Sequence, residues 1–311
     1  MALIAGFAVA VIATPVAAWI AIRLGLVDEP GPLKVHARSV PYLGGVAVLV
    51  ALAGPAVGAR ASLLIPLALA CALGLADDAT DLPPVVRLAV EVGIGVTAAI
   101  AVGHHDAGRV VLGVVVVLVL VNAMNLLDGL DGLAAGVTVA AAAGFYVVLS
   151  GAGATLALAL AGAGAGFLVW NAPPARVYLG DSGSYLIGTA LAMLFLAAAQ
   201  RPAEVVSGAC LFLAVPVADT TIAVVRRLRA GRPLLRGDRG HVYDQLVDRG
   251  WTAPAAVLAC VAVQATLTVA GIGIAQLSGG AAIVVTVLTV AGVGAVAIVA
   301  FTSPLSWTPE Q

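Results

Sequence analysis

Residues 121–133, which read VNAMNLLDGLDGL, place four polar side chains at the end of an aliphatic run. Asn122 and Asn125 are three residues apart, as are Asp128 and Asp131, so each pair shares one face if the segment is helical. Amide and carboxylate oxygens gathered at a membrane boundary predict a site for a hard cation or a phosphate-bearing substrate. A polar helix end followed by an Asp-Gly turn is the alternative, but four such groups in ten residues favour the site.

A second acidic group lies in the segment LADDATDLPP. Asp77 and Asp78 are adjacent, Asp81 follows, and Pro83 prevents the preceding helix from continuing. Three carboxylates this close repel one another unless a cation or a proton joins them. The spacing therefore predicts a metal-dependent site or a base that accepts a proton, with an acidic turn that caps the next helix as the alternative.

The segment WNAPPARVYLGDSGSYLIG ends one predicted helix at its proline pair and begins another near Asp181. Ser182 or Ser184 can cap the new helix, and the free backbone amides of its first turn attract anions. A carboxylate beside such an anion site is suited to hold a Mg²⁺ ion that also contacts a phosphate. We therefore predict Asp181 as a metal ligand.

Two basic segments complete the polar part of the sequence. KVHARSVPYLGG contains Lys34 and His36, which fit either an interfacial loop or a phosphate contact. The arginine-rich loop at residues 226–252 contains Arg239 and His241. Arginine forks suit diphosphate oxygens, and attraction to anionic lipid is the alternative for this loop.

The elements that must position these residues are membrane helices. The chain has 311 residues, of which 62% are hydrophobic and 10% charged, with a mean hydropathy of +1.11. Ordinary water-soluble domains carry about 25% charged residues, so this composition excludes them. We predict an all-α polytopic membrane protein formed by one domain, residues 1–311, with 226–252 as a loop within it and with no nucleic-acid partner.

Apolar runs of about 20 residues predict eleven transmembrane helices, and a count of ten is the alternative. The predicted helices cover residues 2–22, 43–60, 61–76, 85–103, 110–125, 133–150, 152–171, 183–200, 204–225, 253–276 and 280–302.

Alternation of these helices places twelve of the 15 Lys and Arg residues on one side of the membrane. Only Arg60, Arg109 and Arg201 fall on the other side. By the positive-inside rule the first side is cytoplasmic and the N-terminus is outside. Most of the acidic residues fall on the same side, which predicts a site at the cytoplasmic face of the cell membrane.

Five motifs in this order resemble the polyprenyl-phosphate N-acetylhexosamine-1-phosphate transferases of glycosyltransferase family 4. The superfamily also includes phospho-N-acetylmuramoyl-pentapeptide transferase. The matching segments are HARSVPYLGG, DDATDLPPVVR, NAMNLLDGLDGL, NAPPARVYLGDSGS and PVADT followed by the arginine-rich loop. DDxxxLPPxxR and that loop are more similar to the N-acetylhexosamine branch.

The resemblance implies transfer of a sugar 1-phosphate from a UDP-sugar to a polyprenyl phosphate, with release of UMP, as the start of cell-wall or surface polysaccharide synthesis. N-acetylglucosamine is the expected sugar, and Mg²⁺ the expected cofactor, with Mn²⁺ as a substitute. The implied metal ligands are Asp181 and Asn125, and the implied catalytic residues are Asp77, Asp78 and Asp181. The implied substrate-binding residues are Lys34, His36, Asn122, Asp128, Asp131, Arg239 and His241.

One motif departs from the family. Many members carry His-x-His-His in the last loop, whereas this chain reads His241-Val242-Tyr243-Asp244. The departure leaves sugar selectivity open, so the muramoyl-pentapeptide donor or another UDP-sugar is an alternative. An ion-coupled secondary transporter is the alternative from another class, and a homodimer is an open possibility.

Overall fold

The computed structural model describes residues 1–29, 39–233 and 240–302. These residues are mainly helical, with one antiparallel ribbon that pairs β1 (Val27–Asp28) with β2 (Val40–Pro41). The helices are α1 Ala2–Leu24, α2 Gly44–Arg60, α3 Leu64–Thr80, α4 Pro84–Val102, α5 Ala107–Leu127, α6 Leu133–Val148, α7 Gly151–Asn171, α8 Gly180–Ala198, α9 Ala203–Phe212, α10 Ala214–Arg229, α11 Val242–Asp248, α12 Ala253–Ile274 and α13 Gly279–Thr302.

The prediction of an all-α polytopic membrane protein is confirmed, but the count of eleven spans is not. By length and composition, seven helical segments of the described chain can cross a membrane, or eight if the bent pair α9–α10 is one span. Every predicted helix has a helical counterpart. The difference arises partly because α6 and part of α13 are apolar but shorter than a full span.

One of the seven segments, at residues 44–80, folds back on itself. It joins α2 and α3 through a short 3₁₀ turn, Ala61–Leu63. Gly45 at the start of α2 and Gly74 near the end of α3 both pack closely against the backbone of the first turn of α8. A straight helix of this length would hold its ends about 55 Å apart, so the chain reverses near Arg60, where the sequence predicts a boundary.

The helix α8 forms the centre of the bundle, and almost all of its residues are buried. It packs against α3 and α5. Gly188 lies against the backbone of α5 at Leu120 and Val121, where a side chain would not fit. Small residues allow this close approach. As a result, the end of α3, the end of α5 and the start of α8 meet at one end of the bundle, which we call the acidic end.

The junction between α9 and α10 is bent by 66°. Pro216 lies in the first turn of α10, where its ring and its missing N–H interrupt helical hydrogen bonding with α9. Gln264 of α12 satisfies the freed backbone groups: its Nε2 donates to the Leu211 carbonyl and its Oε1 accepts from the Val215 amide, both at 3.1 Å. A polar side chain thus stabilises a break inside an apolar bundle.

The opposite end of the bundle holds two of the three basic residues that the sequence assigns to the outer side. Arg60 and Arg201 line a cavity of about 280 Å³ together with Ser150 and Gln200. Arg60 donates to the Ala101 carbonyl at 3.1 Å, at the end of α4. Arg60 and Arg201, which the sequence assigns to the same side, thus lie together at this end.

Candidate active site

The acidic end collects carboxylates from three helices. Asp77 and Asp78 lie in the last turn of α3, Asp128 directly follows α5, and Asp181 lies in the first turn of α8. Residues more than 100 positions apart in the sequence are directly bonded there, since the Asp181 amide donates to Asp78. The structure therefore unites three of the motifs that the sequence singles out.

Asp78 holds the start of α8. Its Oδ1 accepts from the Asp181 amide at 2.9 Å, and its Oδ2 accepts from the Ser182 amide at 3.1 Å. The first amides of a helix have no partner within the helix, and a carboxylate there is favoured by both hydrogen bonding and the helix dipole. Asp78 thus acts as a cap supplied by another helix, and neither serine replaces it.

Asp77 is the acceptor of a second network. Its Oδ1 accepts from the Leu82 amide at 2.8 Å, and its Oδ2 accepts from Arg87 at 2.9 Å and from the Tyr185 hydroxyl. Arg87 also donates to the Tyr185 hydroxyl at 3.2 Å. The Asp77 side chain is only 2% exposed. This carboxylate therefore joins α3, α4 and α8, and its catalytic role stays a prediction.

Asp181 and Asn125 form the contact between α8 and α5. The Asn125 amide donates to Asp181 Oδ1 at 2.6 Å and lies 3.4 Å from the Ser184 hydroxyl. In this arrangement Asn125 orients Asp181 with its nitrogen. The second oxygen of Asp181 has no hydrogen-bond partner among the described residues. That oxygen is the one suited to a ligand or an ion.

Asp128 lies in the turn that follows α5 and is partly buried. Burial raises the pKa of Asp128 well above its ordinary value, and the negative charges of Asp181, Asp78 and Asp131 raise it further. Both causes disfavour the charged form of the carboxyl group. The negative charges around Asp128 are therefore not balanced by positive charges of the described residues.

Asp131 and Asn171 organise the loop that leads to α8. Asp131 Oδ2 accepts from the Ala175 amide at 2.8 Å. Asn171 Oδ1 accepts from the Gly132 amide at 2.9 Å, and its Nδ2 donates to the Val177 carbonyl at 3.0 Å. These bonds tie the Asp-Gly segment to the proline-rich loop, so Asp131 is close to the site while holding a backbone group.

Asn122 lies deeper in the bundle than the other polar residues of its motif. Its amide donates to Glu91 Oε2 at 2.7 Å and to the Leu118 carbonyl at 2.8 Å. Glu91 is 1% exposed. Both amide hydrogens of Asn122 are thus bonded inside the protein, and its predicted contact with substrate stays a prediction.

His241 is buried at the start of α11 and pairs with Asp219 of α10. Its Nδ1 lies 2.7 Å from Asp219 Oδ2, and Asp219 Oδ1 accepts from the Val242 amide at 2.7 Å. Asp219 therefore docks α11 onto α10. The other predicted substrate contacts, Lys34, His36 and Arg239, lie outside the described residues.

An apolar cavity of about 640 Å³ opens beside the broken pair α9–α10. Its walls come from α5, α10, α12 and α13, and include Leu127, Asp219 and Tyr243. Leu127 directly precedes Asp128, so one end of the cavity adjoins the acidic end. The juxtaposition of an apolar cavity and crowded carboxylates suits a ligand with an apolar chain and a phosphate head.

The donor set fits a Mg²⁺ ion through carboxylates. Among the described residues no group of three or more His, Cys, Asp and Glu is arranged to hold a metal. Mg²⁺, however, is commonly held by one or two carboxylates together with water and substrate phosphates. Asp181, through its second oxygen, and Asp128, which is surrounded by other negative charges, can provide these two carboxylates. Asn125 instead donates a hydrogen bond from its nitrogen to Asp181.

Known proteins are similar to this sequence over most of its length. The pattern of glycosyl transferase family 4 matches residues 60–199. A decaprenyl-phosphate N-acetylglucosaminephosphotransferase of Mycolicibacterium smegmatis is 30% identical, over 81% of this chain and 77% of its own. An undecaprenyl-phosphate alpha-N-acetylglucosaminyl 1-phosphate transferase of Thermotoga maritima is 32% identical, over 70% of this chain and 71% of its own. The chain belongs to glycosyl transferase family 4.

The family pattern coincides with the acidic end. Residues 60–199 include Asp77, Asp78, Asp128 and Asp181, whereas His241 and the rest of the last loop lie beyond the matched region. The carboxylates therefore belong to the part that this chain shares with glycosyl transferase family 4.

Sequence reasoning missed several residues that shape the site. Tyr185 lies four positions after Asp181, on the same face of α8, and this spacing is the signal that could have identified it. Arg87 was part of a quoted motif but had no assigned role. Asn171, Tyr243 and Gln264 act through contacts more than 35 residues away in sequence, and no local pattern identifies them.

Proposed function

We propose that this chain transfers N-acetylglucosamine 1-phosphate from UDP-N-acetylglucosamine to undecaprenyl or decaprenyl phosphate, with release of UMP. The observation that carries the proposal is the junction between the 640 Å³ apolar cavity and the carboxylates of the acidic end. A polyprenyl phosphate needs both environments at once. The names of the two relatives support the same substrate class.

The apolar cavity takes part of the prenyl chain. Its lining is almost entirely aliphatic and aromatic, from Val115 on α5 to Phe301 on α13. Close packing against these side chains favours binding of the prenyl chain, and the lipid phosphate then lies near Leu127 and Asp128. The bend at Leu213 opens this space by turning α10 away from the direction of α9.

The reaction joins two phosphates. An oxygen of the lipid phosphate forms a bond to the sugar-bearing phosphorus of the UDP-sugar, and the bond from that phosphorus to the bridging oxygen breaks. The bridging oxygen leaves with UMP, and the product is a polyprenyl diphospho-sugar. Such a transfer depends on alignment and on neutralisation of charge rather than on covalent help from the protein.

The protein residues perform the alignment. Asp78 fixes the first turn of α8, Asn125 fixes one oxygen of Asp181, and the Asp77–Arg87–Tyr185 network holds α3, α4 and α8 together. When bound, a Mg²⁺ ion would supply positive charge to the phosphate oxygens. Asp181 and Asp128 would hold it, and Mn²⁺ can substitute because it accepts the same oxygen ligands.

The proposed orientation places the acidic end in the cytoplasm and the N-terminus outside. Support comes from the twelve basic residues that alternation assigns to the side of the acidic end. A water-soluble UDP-sugar then reaches the carboxylates from the cytoplasm, while the lipid enters laterally. The diphospho-sugar lipid would start a cell-wall or surface polysaccharide.

The test is UMP release by the purified full chain with polyprenyl phosphate and a panel of UDP-sugars, with and without Mg²⁺. Release that needs lipid and metal, and is fastest with UDP-N-acetylglucosamine, is the expected result. Asp181→Ala is the matched inactive control and should still insert into membranes. Uptake of a substrate into proteoliposomes without UMP release would instead support the transporter alternative and overturn the proposal.

A further inference from the structure

Among the described residues of the last loop, Tyr243 reaches the acidic end. It stands where many family members have a histidine, and it is 4% exposed. Its hydroxyl donates to the Leu126 carbonyl at 2.9 Å, across 117 positions of sequence. The last carbonyls of a helix lack partners within the helix. Tyr243 therefore caps the end of α5 immediately before Asp128.

The same contact restricts which residue can occupy position 129, where the chain has Gly129. A side-chain carbon at this position would overlap the Tyr243 ring and hydroxyl, which supply its three nearest neighbours. The φ angle of Gly129 is not positive, so its backbone would accept other residues. The glycine is therefore required by the close approach of the phenol rather than by the turn itself.

The neighbours of Tyr243 hold it in this place. Its ring stacks on His241 with 5.5 Å between centroids, and Asp219 fixes His241. Asp244, which stands where the family pattern has its last histidine, accepts from the Gly240 and His241 amides at 3.1 and 3.3 Å. Both departures from the histidine pattern thus rigidify the start of α11.

Tyr243 also lines the apolar cavity, next to Leu127. Its ring faces the space proposed for the prenyl chain, while its hydroxyl holds the turn that carries Asp128. We infer that Tyr243 is a positioning residue that forms the inner wall of the lipid cavity and holds the Asp128 turn against the lipid phosphate. This inference rests on the proposed transferase function.

The experiment measures kcat and both KM values for the purified full chain and its Tyr243 variants. Tyr243→Phe keeps the ring and removes one neutral hydrogen bond, so kcat should fall about fivefold with an unchanged KM for polyprenyl phosphate. Tyr243→Ala removes the wall as well, so that KM should rise about tenfold. The KM for the UDP-sugar should stay within about twofold in both variants.

A cycle with Gly129 tests the contact itself. Gly129→Ala should lower kcat about thirtyfold, because the methyl group displaces the phenol. In the Tyr243→Ala background the same change should cost less than about twofold, since the space is then free. Tyr146→Phe, at an exposed tyrosine on α6, is the control and should match the wild type.

The outcomes distinguish a failure of the proposed transferase function from a failure of the role inferred for Tyr243. A wild-type protein without UMP release would overturn the proposed function. Wild-type turnover together with unchanged kcat and lipid KM in both Tyr243 variants would overturn this inference alone. A change confined to the KM for the UDP-sugar would also overturn it, and so would additive effects of Gly129→Ala and Tyr243→Ala on the thermal midpoint, which needs no turnover.

Discussion

Two pairs of aspartates meet at the acidic end, and they differ in what their oxygens contact. Asp77 and Asp78 come from one turn of α3, and all four of their carboxylate oxygens accept from protein groups. Asp128 and Asp181 come from two different helices, and Asp181 keeps one oxygen without a partner among the described residues. The adjacent pair thus builds the site, and the separated pair is available to substrate or metal.

The comparison shows why residue type and spacing do not assign roles. The DD pair predicts a catalytic role as strongly as any motif in this sequence. Its hydrogen bonds attach it to the backbone of α8, to Arg87 and to Tyr185, and its catalytic role stays a prediction. Substitutions in the two pairs can test whether the adjacent aspartates support the fold and the separated ones serve the reaction.

The largest effect should come from Asp181→Asn. The change removes a charge from the available pair while keeping the shape of the side chain, and turnover should fall by about a thousandfold or more. The thermal midpoint should stay within about 2 °C of the wild type, since no backbone amide depends on this side chain for a cap. A large loss of stability with near-normal turnover per folded molecule would reverse the assignment of the two pairs.

Asp78→Ala should act mainly on stability. It leaves two amides of the first turn of α8 without their acceptor, at a cost of about 3 kcal/mol. Thermal unfolding in detergent should therefore show a clearly lower midpoint, with turnover falling in parallel. Asp248→Ala, at an exposed aspartate at the end of α11, is the control. An unchanged midpoint in Asp78→Ala would show that the cap contributes nothing.

The Mg²⁺ requirement should ease as pH rises. The raised pKa of Asp128 means that this carboxyl keeps its proton at pH values where an ordinary aspartate is ionised. A metal ion binds the deprotonated form, so the half-saturating Mg²⁺ concentration should fall by up to about tenfold per pH unit below that pKa. Metal titrations at a series of pH values above the ordinary pKa of an aspartate, about 4, measure this change. Asp128→Asn should reduce this slope, and a slope that is unchanged in this variant would assign the proton to another group.

The smallest effect should come from Tyr185→Phe. The variant loses one hydrogen bond to Asp77, while Arg87 and the Leu82 amide still bind that carboxylate. The expected loss of stability is about 1 kcal/mol, seen as a small shift in the thermal midpoint. A loss of turnover as large as that of Asp181→Asn would place Tyr185 among the catalytic residues rather than in the supporting network.

Much of the fold follows from local sequence. Apolar runs of the right length predict the helices, and each predicted helix has a counterpart in the structure. The predicted boundary near Arg60 is also present. The sequence does not predict the 66° bend at Leu213, because the predicted helix 204–225 is apolar on both sides of this position and Pro216 alone does not show which way the chain turns. The support that Gln264 gives to the bend comes from another helix.

The sequence predicted that the acidic motifs would lie together, but not what each side chain contacts. The carboxylates of three motifs do meet, because alternate helices bring their ends to the same side of the bundle. Asn122, in contrast, donates a hydrogen bond to Glu91 within the bundle. Asn125 donates a hydrogen bond from its nitrogen to Asp181, whereas the predicted metal ligand would have used its oxygen. Those details depend on the rotation of each helix about its axis, which packing of small residues determines.

The sequence by itself determined the class of this protein: a helical membrane enzyme of glycosyl transferase family 4 whose acidic motifs lie at one end. Composition and motif order suffice for that, because both can be read from the chain without knowing how its helices pack. Only the tertiary structure decided that Asp78 caps α8, that Asp77 binds Arg87 and Tyr185, and that Tyr243 closes on Gly129. Each is a hydrogen bond or a close contact between distant segments, and its geometry exists only once the helices have packed.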